Sequence, residues 1–287
     1  LTLGKMRKNL RGNIMSLFSR KKKLITAGCS YTADYALTQG IERFPPWPSL
    51  LAEKLDMECI DVSKIANGNK AIFSTVIDEV VSQKNIGLVI PMWSEFQRVS
   101  FYIGEVGIPK QIADKDLWSC FHPDRDYLDG EWHDQFYDSP EKNTVKQDYV
   151  YKVSKVLREN GLNGLRGGTY DSIRMMYSFQ TICENLDIPY LQVQGCLPIM
   201  SKADNRGQKA LCQNILDSCY FDKMNKKTFL GWPIMPQISG TNIDNHLDLI
   251  DPDRTTLRIS PEDTHPNGEA HEIISEVLYD KYNKIYS

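Results

Sequence analysis

Short apolar runs alternate with stretches of helically spaced apolar positions through the first hundred residues. The run Lys23–Ala27 predicts a strand that stops at a turn of small residues. Helical spacing follows over Trp47–Leu55 and Ala71–Ser82, and further strands are predicted over Glu58–Val62 and Gly87–Pro91. This βαβαβ alternation predicts a parallel sheet with right-handed crossovers.

The pattern changes over about 101–168, which is charged, aromatic and rich in turns, and we interpret this segment as an insertion. Regular elements resume with a helix over Tyr170–Leu186 and a strand over Tyr190–Val193. A polar loop region over 202–254 precedes a final strand, Thr255–Ile259, and a last helix, Gly268–Tyr286. We therefore predict one α/β domain over 23–287 with about five parallel strands, in which the insertion forms part of a cleft wall.

The composition is that of a soluble globular protein, with 41% hydrophobic and 25% charged residues. A net charge of −3 lacks the basic footprint of a general nucleic-acid binder, and no nucleic-acid partner is expected. No apolar run reaches the roughly 18 residues that predict a membrane span. Residues 1–22 form a basic arm followed by neither the 7–15-residue apolar region nor the cleavage site of a signal peptide, so we expect a solvated terminus rather than a secretory signal.

The seven cysteines are an odd number and include no Cys-x-x-Cys pair. This distribution predicts reduced thiols and a cytoplasmic protein, and it argues against a structural zinc site. The Gly-x-Gly-x-x-Gly and P-loop patterns are absent from the sequence, so no nucleotide cofactor is expected. No metal is expected either, because the acidic run Asp124–Gly130 lacks the closing Glu of a calcium loop and His122 and His133 have no neighbouring ligands at metal-binding spacing.

Four segments follow predicted strands or precede the last helix, where ligand groups gather in an open parallel sheet. They are Gly28–Thr32, Ala66–Asn69, Trp93–Arg98 and Glu262–Asn267. The candidate chemistry lies in the first and the last of them. A serine hydroxyl becomes a nucleophile when an imidazole accepts its proton and a carboxylate orients that imidazole, and Ser30, His265 and Asp263 supply these three groups.

The two motifs resemble those of the SGNH (GDSL-type) hydrolase superfamily. Its Gly-Asp-Ser motif follows the first strand, as Gly28–Thr32 (GCSYT) does here, and its Asp-x-x-His-Pro motif precedes the last helix, as Asp263–Pro266 (DTHP) does. The likeness is greatest to divergent phage-encoded members, whose first motif often reads Gly-Cys-Ser-Phe/Tyr-Thr. The resemblance implies a three-layer α/β/α fold with a flavodoxin-like central parallel sheet, and a Ser30–His265–Asp263 catalytic triad. Glu262 stands as the alternative third member.

The second and third motifs of the family supply its oxyanion hole through a Gly N–H and an Asn side chain. Their counterparts here read Ala66–Asn69 (ANGN) and Met92–Glu95 (MWSE), with Ser94 at the usual Asn position. The resemblance implies an oxyanion hole built from the Ser30 N–H, a backbone N–H near Gly68, and the side chain of Asn69 or Ser94. Arg98 is expected to bind a substrate anion or to pair with Glu95 or another acid.

The resemblance implies a serine esterase that hydrolyses a small ester, such as an O-acetyl group on a carbohydrate, without a cofactor. The alternative is a non-catalytic glycan-binding or virion structural protein that keeps the fold. That alternative would use a cleft lined by Trp47, Trp93 and Trp232, which otherwise belong to the core.

Overall fold

The computed structural model describes residues 21–102, 118–121, 152–162, 164–199 and 205–287. Its centre is a five-stranded parallel sheet. The strands of this sheet are β1 (Lys23–Ala27), β2 (Glu58–Asp61), β3 (Ile86–Trp93), β6 (Gln192–Gln194) and β7 (Phe229–Leu230). The strands β4 (Val99–Tyr102) and β5 (Trp118–Phe121) form a separate antiparallel pair.

Helices connect the strands and cover both faces of the sheet. They are α1 (Tyr35–Gln39), α2 (Trp47–Lys54), α3 (Asn69–Ser82), α4 (152–159), α5 (Leu165–Asn185), α6 (Asn205–Leu216), α7 (Ile243–Ile250) and α8 (Gly268–Tyr286). Within the described ranges, none of these helices combines the length and apolar character needed to cross a bilayer.

The spatial order of the strands is β2-β1-β3-β6-β7, the flavodoxin-like order in which the first strand lies between the second and the third. Side chains alternate along the strands, so Ile25 and Val89 face α3, α5 and α6, whereas Leu24 and Leu88 face α2, α7 and α8. The result is three α/β/α layers, which confirms the predicted fold class. The chain leaves β1 towards one edge of the sheet and leaves β3 towards the other edge. In such folds a crevice lies between the two connections, at the carboxyl ends of these strands.

The predicted final strand, Thr255–Ile259, is wrong. The carboxylate of Asp251 accepts hydrogen bonds from the backbone N–H groups of 255, 256 and 257, at 3.1, 2.9 and 2.8 Å, so a side chain satisfies donors that a strand neighbour would otherwise satisfy. The fifth strand is instead Phe229–Leu230, inside the segment expected to be a polar loop, and it pairs with Gln192 and Val193.

Helix α5 begins at Leu165, five residues before its predicted start and inside the predicted insertion. Most of that insertion and residues 1–20 of the basic arm lie outside the described residues. The described part places Cys120 Sγ 3.7 Å from Asn67 Oδ1 and 3.3 Å from Ser100 Oγ. The strand pair β4–β5 therefore lies beside the segment Ala66–Asn69, and the wider role of the insertion as a cleft wall stays a prediction.

The three tryptophans proposed for a glycan cleft are core residues. Trp47 and Trp93 are 0% exposed and Trp232 is 6% exposed. Their indole N–H groups donate to the Tyr31 carbonyl, the Gln192 side chain and the Phe221 carbonyl respectively. The cleft that they were expected to line is absent from the described part of the chain.

His271 on α8 is a buried polar residue that joins two helices. Its Nδ1 accepts a hydrogen bond from the Trp47 backbone N–H at 3.1 Å, at the start of α2. Its Nε2 is buried without a hydrogen-bond partner among the described residues. Burial lowers the pKa of His271 to about 4, so the ring is neutral in the folded protein near neutral pH.

This burial predicts an acid-sensitive fold. The unfolded chain takes up a proton on His271 below about pH 6.5, whereas the folded chain does so only near pH 4, so stability falls as pH decreases across this window. We expect His271 to contribute up to about 1.4 kcal/mol per pH unit to this slope. Urea unfolding of wild type and His271→Asn from pH 7 to pH 4.5 checks the prediction, because asparagine can accept the same hydrogen bond and does not titrate. Equal slopes in the two proteins would contradict it.

Candidate active site

Ser30 lies in a tight turn directly after β1. The Cys29 carbonyl accepts backbone hydrogen bonds from Thr32 and Ala33 at 2.9 and 3.0 Å, which closes the turn around the serine. A Cβ atom at Gly28 would lie 2.1 Å from Thr32 Oγ1, so only glycine fits where the chain leaves the strand. The turn holds Ser30 nearly buried, at the carboxyl end of a central strand.

His265 lies in the loop that precedes α8. The loop is closed by backbone hydrogen bonds from the Ile259 N–H to the His265 carbonyl, at 3.0 Å, and from the Asn267 N–H to the Leu257 carbonyl, at 3.2 Å. Asn267 also caps α8, because its side-chain oxygen accepts a hydrogen bond from the Ala270 N–H. These contacts fix the backbone on both sides of the imidazole.

The structure brings Ser30, His265 and Asp263 together in one line of contacts. His265 Nε2 lies 2.9 Å from Ser30 Oγ, and His265 Nδ1 lies 2.5 Å from Asp263 Oδ1. Burial raises the pKa of Asp263, but hydrogen bonds from His265 and Tyr35 outweigh it and lower the pKa overall. Glu262 is exposed and accepts a hydrogen bond from the Ser260 hydroxyl, so Asp263 is the carboxylate that contacts the imidazole.

Tyr35 on α1 also contacts this set, and the sequence analysis missed it. Its hydroxyl donates a hydrogen bond to Asp263 Oδ2 at 2.9 Å, and its ring stacks on the His265 imidazole with centroids 4.0 Å apart. The Tyr31 ring lies 5.8 Å from the same imidazole in a tilted arrangement. A tyrosine five residues after Ser30 carries no local signal for such a contact.

Asn69 and Ser94 lie at the carboxyl edge as expected, but their polar groups are used within the fold. The Asn69 amide donates to the Ser94 carbonyl and the Ser172 hydroxyl, and its oxygen accepts a hydrogen bond from the Ser94 N–H at 2.7 Å. Both hydrogens of the Asn69 amide are therefore occupied, and the amide joins α3 to the end of β3 and to α5. The Ser94 side chain is 0% exposed, which removes it from direct reach of a substrate.

Arg98 forms an ion pair with Glu95, one of the two alternatives predicted for it. Its Nη2 lies 2.7 Å from Glu95 Oε2, and its Nη1 donates to Ser94 Oγ at 3.0 Å and to the Asn67 carbonyl at 3.2 Å. The buried guanidinium therefore belongs to the floor of the crevice.

The thiol of Cys29, next to Ser30, has a pKa well below its usual range. A hydrogen bond with Cys196 and the nearby Arg98 cation lower this pKa, against the opposing effect of burial.

Two backbone donors stay available at the candidate site, one in the turn after β1 and one at Gly68. Within the described residues, the N–H groups of Ser30 and Gly68 make no intramolecular hydrogen bond. A Cβ atom at Gly68 would lie 2.6 Å from Ser100 Oγ and 2.8 Å from the Arg98 carbonyl, so β4 approaches too closely for any other residue. Ala66 has a φ of +67°, a left-handed conformation that costs a residue other than glycine about 1 kcal/mol.

A buried ion-pair network supports the loop that carries Asp263 and His265. The Arg258 side chain is 1% exposed and lies 2.9 Å from Asp244 Oδ1 and 2.7 Å from Asp248 Oδ1, both on α7. Its Nη1 also donates to the Thr264 carbonyl at 3.1 Å. Tyr31, next to Ser30, donates its hydroxyl proton to the same Asp244 carboxylate at 2.8 Å. Both halves of the candidate site are therefore attached to one network.

Among the described residues, no group of three or more His, Cys, Asp or Glu side chains is arranged to hold a metal ion. The serine, imidazole and carboxylate groups of the site are suited to nucleophilic attack and proton transfer.

The network predicts that substitutions at two arginines differ greatly in their effect on the free energy of unfolding. Arg258→Met leaves the buried Asp244 carboxylate and the partly exposed Asp248 carboxylate with fewer partners, and it should lower the free energy of unfolding by about 3 kcal/mol. Arg174→Met removes an exposed pair with Asp171, and it should cost less than about 1 kcal/mol. Urea unfolding of both variants at neutral pH measures the difference. Equal losses would show that the Arg258 network does not stabilise the fold.

The fold of this chain is similar to those of solved protein structures, at low sequence identity. No family model matches the chain, and no curated protein matches it. A protein assigned to the lipolytic G-D-S-L family from Desulfitobacterium hafniense DCB-2 is 13% identical with a TM-score of 0.45, and the match covers 91% of this chain and 99% of that one. A protein assigned as an SGNH hydrolase from Slackia heliotrinireducens is 10% identical with a TM-score of 0.37, and the match covers 91% of this chain and 99% of that one.

Proposed function

We propose that this protein is a serine ester hydrolase that forms an acyl-enzyme on Ser30. The observation that carries the proposal is the continuous line of contacts from Ser30 Oγ through His265 to Asp263, at 2.9 and 2.5 Å. With its Nδ1 proton donated to the carboxylate, the imidazole presents the unprotonated Nε2 to the serine hydroxyl. This is the tautomer that a general base requires.

In the first half of the reaction, Ser30 Oγ attacks the carbonyl carbon of the ester while His265 Nε2 accepts the hydroxyl proton. The carboxylate of Asp263 stabilises the resulting imidazolium. Collapse of the tetrahedral intermediate breaks the bond to the alcohol oxygen, which receives the proton from His265 and leaves as the free alcohol. The acyl group stays on Ser30.

In the second half, a water molecule loses a proton to His265 Nε2 and attacks the acyl carbon. Collapse then breaks the bond between the acyl group and Ser30 Oγ, and the serine recovers its proton from the imidazolium. The carboxylic acid leaves and the site is regenerated. The same three side chains therefore serve both halves of the reaction.

The negative oxygen of the intermediate requires preorganised donors. We assign this role to the backbone N–H groups of Ser30 and Gly68, which have no acceptor of their own in the described part of the chain. Asn69 and Ser94 contribute indirectly, since their mutual hydrogen bonds hold the start of α3 against the end of β3. This assignment keeps the two backbone donors expected from the resemblance and omits the side-chain donor of Asn69 or Ser94.

We further propose a small acyl group on a polar alcohol, such as an O-acetyl group on a carbohydrate. The serine is nearly buried, so the acyl portion must be small to reach it. A groove of about 550 Å³ is lined by Asp34, which precedes Tyr35 in the chain, and by Arg43, Phe44, Pro45, Pro46, Ser49 and Asp61. Its charged groups and the ring of Phe44 suit a hydroxyl-rich leaving group.

The alternative of a non-catalytic glycan-binding or virion structural protein has less support. The tryptophans that it required lie in the core. It also gives no reason for Ser30, His265 and Asp263 to lie within hydrogen-bonding distance of one another. It remains the function to adopt if the protein proves unreactive.

The proposed function predicts a specific pattern of losses with a small aryl ester. Ser30→Ala and His265→Ala should each lower kcat/KM by at least about a thousandfold, and the double variant should lose little more, because the two groups act as one unit. Asp263→Ala should lose less than either. Glu262→Ala is the matched control and should be nearly unchanged. Initial rates of p-nitrophenyl acetate hydrolysis measure these effects.

A fluorophosphonate probe tests the nucleophile directly, since it reacts with an activated serine irrespective of the natural acyl group. Wild type should be labelled, and Ser30→Ala should not be labelled. Undiminished hydrolysis by His265→Ala would refute the proposed base. A folded wild type that neither hydrolyses the ester nor accepts the probe would support the binding-protein alternative.

A further inference from the structure

We propose that Tyr35 is a positioning residue of the site, holding the carboxylate of Asp263 with its hydroxyl and the imidazole of His265 with its ring. This inference rests on the proposed function and adds a residue to it. Neither contact touches a substrate atom, so Tyr35 acts through the two residues that it holds.

The first contact completes the set of donors around Asp263. One carboxylate oxygen, Oδ1, contacts the His265 ring and accepts a hydrogen bond from the His265 backbone N–H at 3.2 Å. The other oxygen, Oδ2, accepts a hydrogen bond from the Tyr35 hydroxyl at 2.9 Å. Because both oxygens are bound, the carboxylate cannot rotate away from the imidazole without breaking a charge-assisted hydrogen bond.

The second contact restrains the imidazole. The rings of Tyr35 and His265 are stacked at 4.0 Å with an angle of 19° between their planes. Stacking at this distance blocks tilting of the imidazole towards the tyrosine and keeps Nε2 directed at Ser30. The electron-rich tyrosine face also stabilises the imidazolium that forms when the serine gives up its proton.

Tyr35 is itself firmly held. It is 5% exposed and begins α1, whose cap Asp34 accepts a hydrogen bond from the Leu37 N–H at 3.1 Å and pairs with Arg43 at 2.6 Å. Burial, together with the neighbouring Asp263 carboxylate, raises the pKa of the Tyr35 hydroxyl. The hydroxyl therefore remains protonated and continues to donate through the whole working range of an imidazole base.

The groups that face the imidazole determine how each change should act. They are Asp263 from its own loop, Tyr35 from α1, Ser30 and Tyr31 from the turn after β1, and His271 from α8. Of these, His271 stays neutral above about pH 4, so Asp263 supplies the charge. Loss of the Tyr35 hydroxyl leaves the carboxylate with one donor fewer, which strengthens its attraction for the imidazolium.

Tyr35→Phe removes the hydroxyl and keeps the ring, whereas Tyr35→Leu removes both contacts. We expect kcat to fall about tenfold in the phenylalanine variant and about a hundredfold in the leucine variant, with KM within about twofold of wild type, because positioning is lost and binding is not. The acidic limb of the kcat/KM profile should move to higher pH in Tyr35→Phe. It should move back to lower pH in Tyr35→Leu, where the stabilising ring is also absent.

Tyr190→Phe is the matched control. It also removes a tyrosine hydroxyl that donates to a carboxylate, that of the exposed Glu184 on α5 at 2.6 Å, while the Tyr190 ring packs in the core. We expect any loss of stability in this variant to leave kcat and the pH profile at wild-type values. An equal fall in kcat in Tyr190→Phe and Tyr35→Phe would make the effect a general structural one and overturn the proposal.

A proton NMR measurement separates this inference from the proposed function. The His265 Nδ1 proton, held against Asp263, should give a downfield resonance that is lost in Asp263→Asn and displaced in Tyr35→Phe, whether or not the protein turns over an ester. A displaced resonance in a protein without esterase activity supports the positioning role and refutes the proposed function. An active wild type in which Tyr35→Phe changes neither the resonance nor kcat refutes the positioning role, as does the absence of any downfield resonance.

Discussion

One buried cation, the guanidinium of Arg258, joins the two distant parts of the chain that make the candidate site. It lies between two carboxylates of α7, one of which also binds the hydroxyl of Tyr31 beside Ser30, and it donates to the carbonyl between Asp263 and His265. A cation buried away from water is tolerated only if its partners stay in place, so the side chains of the network have little freedom to move. The distance from Ser30 to His265 therefore depends on charge pairing beneath the site as well as on the sheet.

The polar residues at the carboxyl ends of the strands form two groups. One group faces the crevice, and the other bonds within the fold and forms the crevice wall. The Asn69 amide hydrogen-bonds to the Ser94 carbonyl, and the Arg98 guanidinium hydrogen-bonds to the Ser94 hydroxyl and to Glu95, so these groups bond within the fold. Ser30, His265 and Asp263 contact one another, and the imidazole and carboxylate keep partial contact with solvent. The sequence positions of the two sets look alike, and only their hydrogen-bond partners in the folded chain distinguish them.

The sequence predicted what depends on local pattern. Strand β1 and helix α8 have their predicted bounds, because an apolar run ended by glycine and a helix capped by Asn267 are local signals. The fifth strand was misplaced, since the two residues of β7 become a strand only through their partner Gln192. The contacts that join Ser30, His265 and Asp263 could be predicted from two motifs, whereas Tyr35 could not, because no motif marks it and its contact with Asp263 joins residues 228 positions apart.

The separation of the two motifs has a consequence for biosynthesis. Ser30 leaves the ribosome 235 residues before His265, which lies just before α8. A nascent chain therefore carries Ser30 without the imidazole that it contacts in the folded protein, and α8 must pack against α2 and the sheet before the loop with His265 can settle. The packing of α8 that completes the hydrophobic core thus also completes the candidate site.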